Sequence, residues 1–64
     1  MDNALARHRK QRGLTQKELA ALASIAQSYV SRLESGECPI EKLSLDVAAR
    51  LAAALGIHAE ELLE

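Results

Sequence analysis

The sequence predicts an all-α domain of five short helices. Apolar residues recur at intervals of three or four, as at Leu19, Leu22 and Ala23, which places them on one face of a helix. Residues that end helices separate these segments, with Gly13 and Gly36 as examples. Phe and Trp are absent, so the core is expected to consist of Leu, Ile, Val and Ala.

The first helix is expected over residues 3–12. Asp2 or Asn3 can serve as its N-cap, and Gly13 ends it. Leu5 is expected to anchor it in the core. Two of its polar residues, His8 and Arg9, are expected on the inner side of the helix. Three others are expected to point outward: Arg7, Lys10 and Arg12.

The second helix begins after Thr15, which stands three residues before Glu18. This spacing predicts a capping box, in which each side chain accepts a hydrogen bond from the other residue's backbone amide. Leu14, just before the cap, is expected to pack back onto the helix. The apolar stripe of this helix is interrupted at Ser24.

A third helix is expected from Gln27 to about Glu34, with a left-handed C-cap at Gly36. Val30 and Leu33 should face the core. The outward side chains are Gln27, Ser28, Ser31 and Arg32.

The loop over residues 35–43 contains Gly36 and Pro39, and its Ile40 and Leu43 are expected to tuck beneath it. The remaining chain then predicts two further helices.

Ser44 is suited to cap a fourth, alanine-rich helix that ends at Gly56. Residues 59–63 are expected to form a short last helix, with Leu62 and Leu63 turned inward.

The 64 residues suffice for one domain, assigned to positions 1–64. No apolar run reaches the roughly 18 residues of a membrane span, and the N-terminus lacks the apolar region of a signal peptide. Cys38 is the only cysteine, which favours a reducing cytoplasm. We interpret it as an inert loop thiol, with a redox switch or an intermolecular disulfide as alternatives.

Charge is distributed unevenly along the chain. Residues 1–36 contain six Lys or Arg and three Asp or Glu, a net charge of +3. Residues 37–64 contain two and six, a net charge of −4. The first half could therefore face an anion, although solvated helix faces would give the same distribution.

The sequence contains no paired carboxylates, no nucleophile with a neighbouring base and no glycine-rich phosphate loop. We therefore expect no enzyme and no cofactor. His8, Cys38 and His58 lack the spacing of metal ligands, so no metal site is expected either.

A set of residues in fixed order spans nearly the whole chain. It consists of Arg9, Gly13-Leu14-Thr15-Gln16, Glu18-Leu19-Ala20, Ile25, Val30-Ser31-Arg32-Leu33-Glu34, Gly36, Ala54-Leu55-Gly56-Ile57 and Glu61-Leu62-Leu63. This set resembles the Cro/CI-type (phage repressor-like, XRE) helix-turn-helix family. The resemblance implies a five-helix, lambda-repressor-like bundle, in which helix 2 crosses the DNA backbone and helix 3 enters the major groove.

The same resemblance implies roles for individual residues. Those expected at base edges are Gln27, Ser28 and Arg32. Gln is suited to adenine and Arg to guanine. Those expected at the DNA backbone are Gln16, Lys17, Tyr29 and Ser31, although Tyr29 could equally pack on the edge of the bundle. Arg9 and Glu34 are expected to form a structural ion pair.

Several positions depart from the family pattern. Ser24 stands where a glycine is usual, and Ala26 replaces the Ser or Thr cap of helix 3. His8 replaces a leucine. The loop after helix 3 is about three residues longer than usual and contains Glu37 and Glu41 where basic residues are common. These acidic residues weaken the expectation of strong phosphate binding.

The favoured hypothesis is a repressor-like regulator of bacterial or phage origin that binds double-stranded DNA as a homodimer on a palindromic operator. The dimer surface should come from the C-terminal half. Its apolar candidates are Leu45, Val47, Ile57, Leu62 and Leu63.

Two alternatives stay open. The helix-turn-helix could serve as a protein-interaction module, as in antitoxin-type proteins, with weak or no DNA binding. The acidic C-terminal half motivates this hypothesis. The chain could also be one domain of a longer regulator, although Met1 favours a natural start.

Overall fold

The computed structural model describes residues 3–63, which form four α-helices and two 3₁₀ segments and contain no strand. The helices are α1 (Ala4–Gln11), α2 (Gln16–Ala23), α3 (Gln27–Ser35) and α4 (Leu45–Leu55), and the 3₁₀ segments are Ile40–Lys42 and Ala59–Leu63. The predicted all-α class is confirmed.

The predicted count of five α-helices is not met, because the last segment is a 3₁₀ helix. It contains five residues. A segment this short gains too few α-helical hydrogen bonds to offset the cost of nucleation, and the tighter 3₁₀ turn suits short connections.

Side-chain caps fix the starts of three helices. Asn3 accepts a hydrogen bond from the Ala6 amide at 3.0 Å, whereas the alternative cap, Asp2, lies outside the described residues. The Thr15 hydroxyl accepts from the Glu18 amide at 3.0 Å, and the Glu18 carboxylate accepts from the Thr15 amide at 2.8 Å. The predicted capping box is therefore confirmed. Ser44 accepts from the Val47 amide and caps α4.

The turn between α2 and α3 differs from these starts. Ser24 has φ 58° and ψ 43°, and it is the only non-glycine residue with positive φ in the described chain. Ala26 precedes α3 and makes no side-chain cap. Ser24 therefore adopts the left-handed conformation that glycine usually occupies at the end of a helix, although serine has a side chain.

The core is aliphatic, as predicted. Its fully buried cluster contains Leu5, Leu19, Ala20, Ala23, Val30, Leu33, Leu51, Leu55 and Leu62. Two predicted inward residues are wrong. Leu22 is 60% exposed and Leu63 is 62% exposed, because no other element covers the sides of the molecule on which they lie.

The helices α3 and α4 both pack against α2, and α1 packs against α3 and the last 3₁₀ segment. This arrangement leaves α3 supported from two sides. One face of α3 buries Val30 and Leu33, and the opposite face lies in solvent.

The connection from α3 to α4 contains the 3₁₀ segment Ile40–Lys42, which the sequence did not predict. Ile40 and Leu43 pack against the core from this loop, as expected. Cys38 also packs there and is half-buried as a free thiol.

Candidate nucleic-acid interface

The exposed face of α3 carries a row of polar side chains. Gln27, Ser28, Ser31 and Arg32 are all exposed, and their spacing of three and four residues places them side by side. Together they offer amide, hydroxyl and guanidinium groups, which can donate and accept hydrogen bonds at base edges.

Tyr29 lies at the margin of this face. Its side chain is half-buried and packs against the core. Part of the side chain stays accessible, so the DNA-backbone contact expected of Tyr29 stays a prediction.

The N-terminus of α2 presents Gln16 and Lys17. Lys17 is exposed. Gln16 is half-buried, and its side-chain amide nitrogen donates to Glu34 Oε1 at 3.0 Å. This bond connects the start of α2 to the end of α3, and the sequence alone did not indicate it.

Arg9 and Glu34 form the expected ion pair. Arg9 Nε donates to Glu34 Oε2 at 2.6 Å, and Arg9 Nη2 donates to Glu34 Oε1 at 3.0 Å. Arg9 Nη1 also donates to the Leu14 carbonyl at 2.7 Å. The two side chains are only 12% and 9% exposed. A single side chain, that of Arg9, therefore connects α1 both to α3 and to the turn before α2.

The surroundings of Glu34 determine its ionisation. Burial by itself would raise the pKa of this carboxyl group. Hydrogen bonds from Arg9 and Gln16, with the positive charges of Arg9 and Lys10, outweigh that effect and lower the pKa below its ordinary value of 4.5. Glu34 is therefore an anion at neutral pH, and the pair is charged on both sides.

A second tie holds the end of α3 to the start of α1. The Asn3 side-chain amide donates to the Leu33 carbonyl at 2.8 Å. Asn3 thus caps α1 with its oxygen and binds α3 with its nitrogen. Both ties act on the C-terminal turn of α3, so the orientation of its exposed face is fixed relative to α1.

The acidic loop after α3 contacts the polar face directly. Glu37 Oε2 lies 3.2 Å from Arg32 Nε, and the two side chains are 67% and 60% exposed. The sequence showed an acidic residue in this loop but not its partner, because the partner depends on the path of the chain beyond Gly36.

The residues expected at a dimer surface separate into two groups. Leu45 is 90% exposed and Leu63 is 62% exposed. Val47 and Ile57 are half-buried and pack against the core. Leu62 is 3% exposed and belongs to the core cluster, and it also lines the groove beside Leu45 and Leu63. Its place at a dimer surface stays a prediction.

Leu45 and Leu63 border an open apolar groove of about 340 Å³. The 3₁₀ segments and the first half of α4 form its walls. No residue of α3 lines it, so the groove and the polar face of α3 are separate surfaces.

Within residues 3–63, no group of three His, Cys, Asp or Glu side chains is arranged to hold a metal ion. Over the same range, no helix has the length and apolarity needed to cross a membrane.

A helix-turn-helix family model matches residues 5–62. Among solved structures, the restriction-modification controller protein C.AhdI from Aeromonas hydrophila is 37% identical, with a TM-score of 0.82. The match covers 92% of this chain and 85% of that chain. Comparison with curated protein sequences gave no significant match.

Proposed function

Because the chain belongs to the Cro/CI-type (XRE) helix-turn-helix family of DNA-binding regulators, we propose that it reads a palindromic operator in double-stranded DNA as a homodimer. The observation that carries this proposal is the polar face of α3, which two sets of directional contacts hold at a fixed orientation. A rigid, exposed helix of this kind fits the major groove.

In this proposal Gln27, Ser28 and Arg32 contact base edges. The Gln27 side-chain amide can donate from its nitrogen to adenine N7 and accept at its oxygen from adenine N6–H. Arg32 can donate to O6 and N7 of guanine. Lys17 and Ser31 contact the sugar-phosphate backbone, with Gln16 and Tyr29 as further backbone contacts.

Gln16 can reach a phosphate in one of two ways. Its amide nitrogen already donates to Glu34, so a phosphate either takes the second amide hydrogen or displaces that bond. The first route retains the corner formed with Arg9, and we favour it for that reason.

The dimension of the molecule supports a dimer. The described residues extend 23 × 22 × 20 Å between Cα atoms. Successive major grooves on one side of B-DNA lie about 34 Å apart. One copy therefore reaches one groove, and two copies related by a twofold axis are needed to read two half-sites.

We place the dimer surface at the apolar groove beside Leu45 and Leu63. Exposed leucines bordering a groove lose unfavourable water contact when a second copy covers them. Because the groove is separate from α3, covering it leaves the polar face free. The structural similarity to a restriction-modification controller protein favours a small regulator of this kind.

The test is selection of bound sequences from a random double-stranded DNA pool, at low salt and at physiological salt. We expect enrichment of a palindromic motif whose half-sites lie about one helical turn apart. We also expect affinity to fall steeply with salt, because phosphate contacts release counterions.

The alternative function is a protein-interaction module with weak or no DNA binding. The placement of Glu37 beside Arg32 and the −4 charge of residues 37–64 favour it. Absence of enrichment at both salt concentrations would support this alternative and reject the DNA-reading proposal.

A further inference from the structure

We infer that Glu37 is a positioning residue for Arg32, which sharpens base discrimination and weakens non-specific DNA binding. This inference rests on the proposed function, since it concerns how Arg32 reads a base. Three observations carry it: the hydrogen bonds that shape the loop, the guanidinium atom that Glu37 contacts, and the negative charge that Glu37 adds beside the reading face.

The loop after α3 folds back on Arg32 itself. The Arg32 carbonyl accepts from the Ser35 hydroxyl at 3.1 Å and from the Cys38 amide at 3.1 Å. The Ser35 oxygen in turn accepts from the Glu37 amide at 3.3 Å. Gly36, at φ 86°, permits this reversal. The backbone of Glu37 is therefore held next to the residue that its side chain contacts.

The contacted atom leaves the reading end of Arg32 available. Glu37 Oε2 contacts Arg32 Nε, at 3.2 Å. A guanidinium group has five N–H donors, and its two terminal nitrogens form the bidentate pair with guanine O6 and N7. Glu37 can therefore hold the inner edge of the guanidinium while the outer edge reads a base.

The contact between Glu37 and Arg32 should affect DNA binding in two ways. A restrained guanidinium loses less conformational freedom on meeting a correctly placed guanine, and it adapts less well to another base. The carboxylate also lies close to the DNA surface whenever α3 docks, where it repels phosphates at every sequence alike. The restraint on Arg32 favours the correct site over altered sites. The repulsion weakens binding to all sequences alike and leaves the ratio of their affinities unchanged.

The expected size of the effect is modest. Both partners are more than half exposed, and exposed ion pairs contribute little. We expect a change in base discrimination of about two- to five-fold, the range of such pairs. The effect should appear in the ratio of affinities for correct and altered operators, and folding stability should change little.

The experiment begins with the operator that the wild-type protein selects. The Arg32→Ala variant identifies the base pair whose preference depends on Arg32. Affinities are then measured for the operator and for a copy changed at that base pair. The variants are Glu37→Gln, Glu37→Asp and, as the control, Asp46→Asn, which removes one negative charge from an exposed side chain that does not line the groove.

The variants separate positioning from charge. Glu37→Gln and Glu37→Asp should both lower discrimination at the Arg32-dependent base pair, because Gln loses the charge and Asp is too short to hold the contact. Asp46→Asn should leave discrimination unchanged. Affinity for all sequences alike should rise in Glu37→Gln and stay near wild type in Glu37→Asp, which keeps the charge. In an Arg32→Ala background, Glu37→Gln should cause no further loss of discrimination.

Two results overturn the inference alone: wild-type discrimination in both Glu37 variants, or an equal loss of discrimination in Asp46→Asn. If the wild-type protein enriches no DNA, the proposed function is overturned and this inference with it. Circular dichroism of each variant verifies that the helices are retained.

Discussion

Ser24 holds a backbone conformation that residues with a Cβ rarely adopt. Its φ of 58° and ψ of 43° end α2 in the left-handed region, and its amide donates to the Ala20 and Ala21 carbonyls. The left-handed conformation costs an L-residue roughly 1–2 kcal/mol. The turn therefore contains a strained residue. The next residue, Ile25, packs against the core and helps to hold the turn in this conformation.

Replacing Ser24 with glycine should remove this strain. Glycine also gives the unfolded chain more conformational freedom, which opposes this gain and lowers the free energy of unfolding by roughly 0.5–1 kcal/mol. We expect Ser24→Gly to raise the free energy of unfolding by about 0.5–1 kcal/mol, and the melting temperature by a few degrees. Ala21→Gly, within α2, is the control and should lower stability by about 1 kcal/mol. Equal destabilisation by both substitutions would show that Ser24 is unstrained.

Substitutions in the proposed DNA interface should either lower base discrimination or weaken binding to all sequences, depending on what the residue contacts. Arg32→Ala should lower discrimination at one base pair by roughly 1–3 kcal/mol, because a bidentate contact is lost. Lys17→Ala should weaken binding to all sequences similarly and reduce the salt slope by about 1, because one phosphate contact is lost. Fluorescence anisotropy titrations over a range of salt concentrations measure both quantities. A uniform loss in Arg32→Ala would place Arg32 at the backbone instead.

At the scale of elements, the polar corner made by Arg9, Gln16 and Glu34 connects three helices. Each partner comes from a different helix, and Arg9 also binds the Leu14 carbonyl. Since the two charged side chains are about nine-tenths buried, removal of one leaves the other poorly solvated. Removal of one partner from this corner should therefore destabilise the helix-turn-helix more than removal of one partner from an exposed pair.

Substitution of Arg9 by Met should lower the free energy of unfolding by about 3 kcal/mol at neutral pH, because Glu34 is left with little solvent and no paired cation. Because the folded pKa of Glu34 is lowered, its contribution to stability is fully present above its ordinary pKa and is lost as the pH falls through the folded value. The difference between wild type and Arg9→Met should therefore shrink on acidification. Urea denaturation from pH 7 down to pH 3 tests this, and a constant difference would argue against the pair as its cause.

What the sequence predicted at this scale was local. The caps at Asn3, Thr15 and Ser44 and the left-handed end at Gly36 depend on residues within four positions of each other, so their patterns are readable. The errors are tertiary. Periodicity placed Leu22 on an apolar stripe but could not show that nothing covers it.

The same distinction applies to the candidate interface. The exposed residues of α3 follow from helical spacing and the family resemblance. The Gln16–Glu34, Asn3–Leu33 and Arg32–Glu37 contacts depend on how helices and loops meet in space, and only the Arg9–Glu34 pair was anticipated, from the resemblance.

For the molecule as a whole, the polar face of α3 and the apolar groove beside α4 occupy different surfaces. Separation of this kind allows two interactions at once, one with DNA and one with a second copy. A monomer about 22 Å across would read a single half-site, with correspondingly low affinity and specificity. In the proposed dimer, the length of the operator would therefore depend on the groove as much as on α3.

Leu45→Glu should disrupt the proposed dimer without unfolding the protein, because Leu45 is 90% exposed. Burying a carboxylate against apolar side chains should weaken dimerisation by about 100-fold or more. Sedimentation velocity measures the oligomeric state, and binding to the full palindrome should weaken while binding to a half-site is retained. Leu22→Glu is the matched control, since Leu22 is 60% exposed and lies outside the groove. A monomeric wild type, or equal effects of both substitutions, would contradict the assignment.

The corner at Arg9 and Glu34 has a consequence for how much the interior can change. Directional hydrogen bonds at the rim of the core join α1 to the end of α3 and the start of α2 to the end of α3. The aliphatic side chains inside need only supply volume and exclude water, and cores of that kind accept many volume-conserving exchanges. Interior residues such as Leu19 and Val30 could therefore be replaced in the course of evolution while α3 keeps its orientation. The capacity to acquire new target sequences on the outer face of α3 would then be largely independent of changes inside.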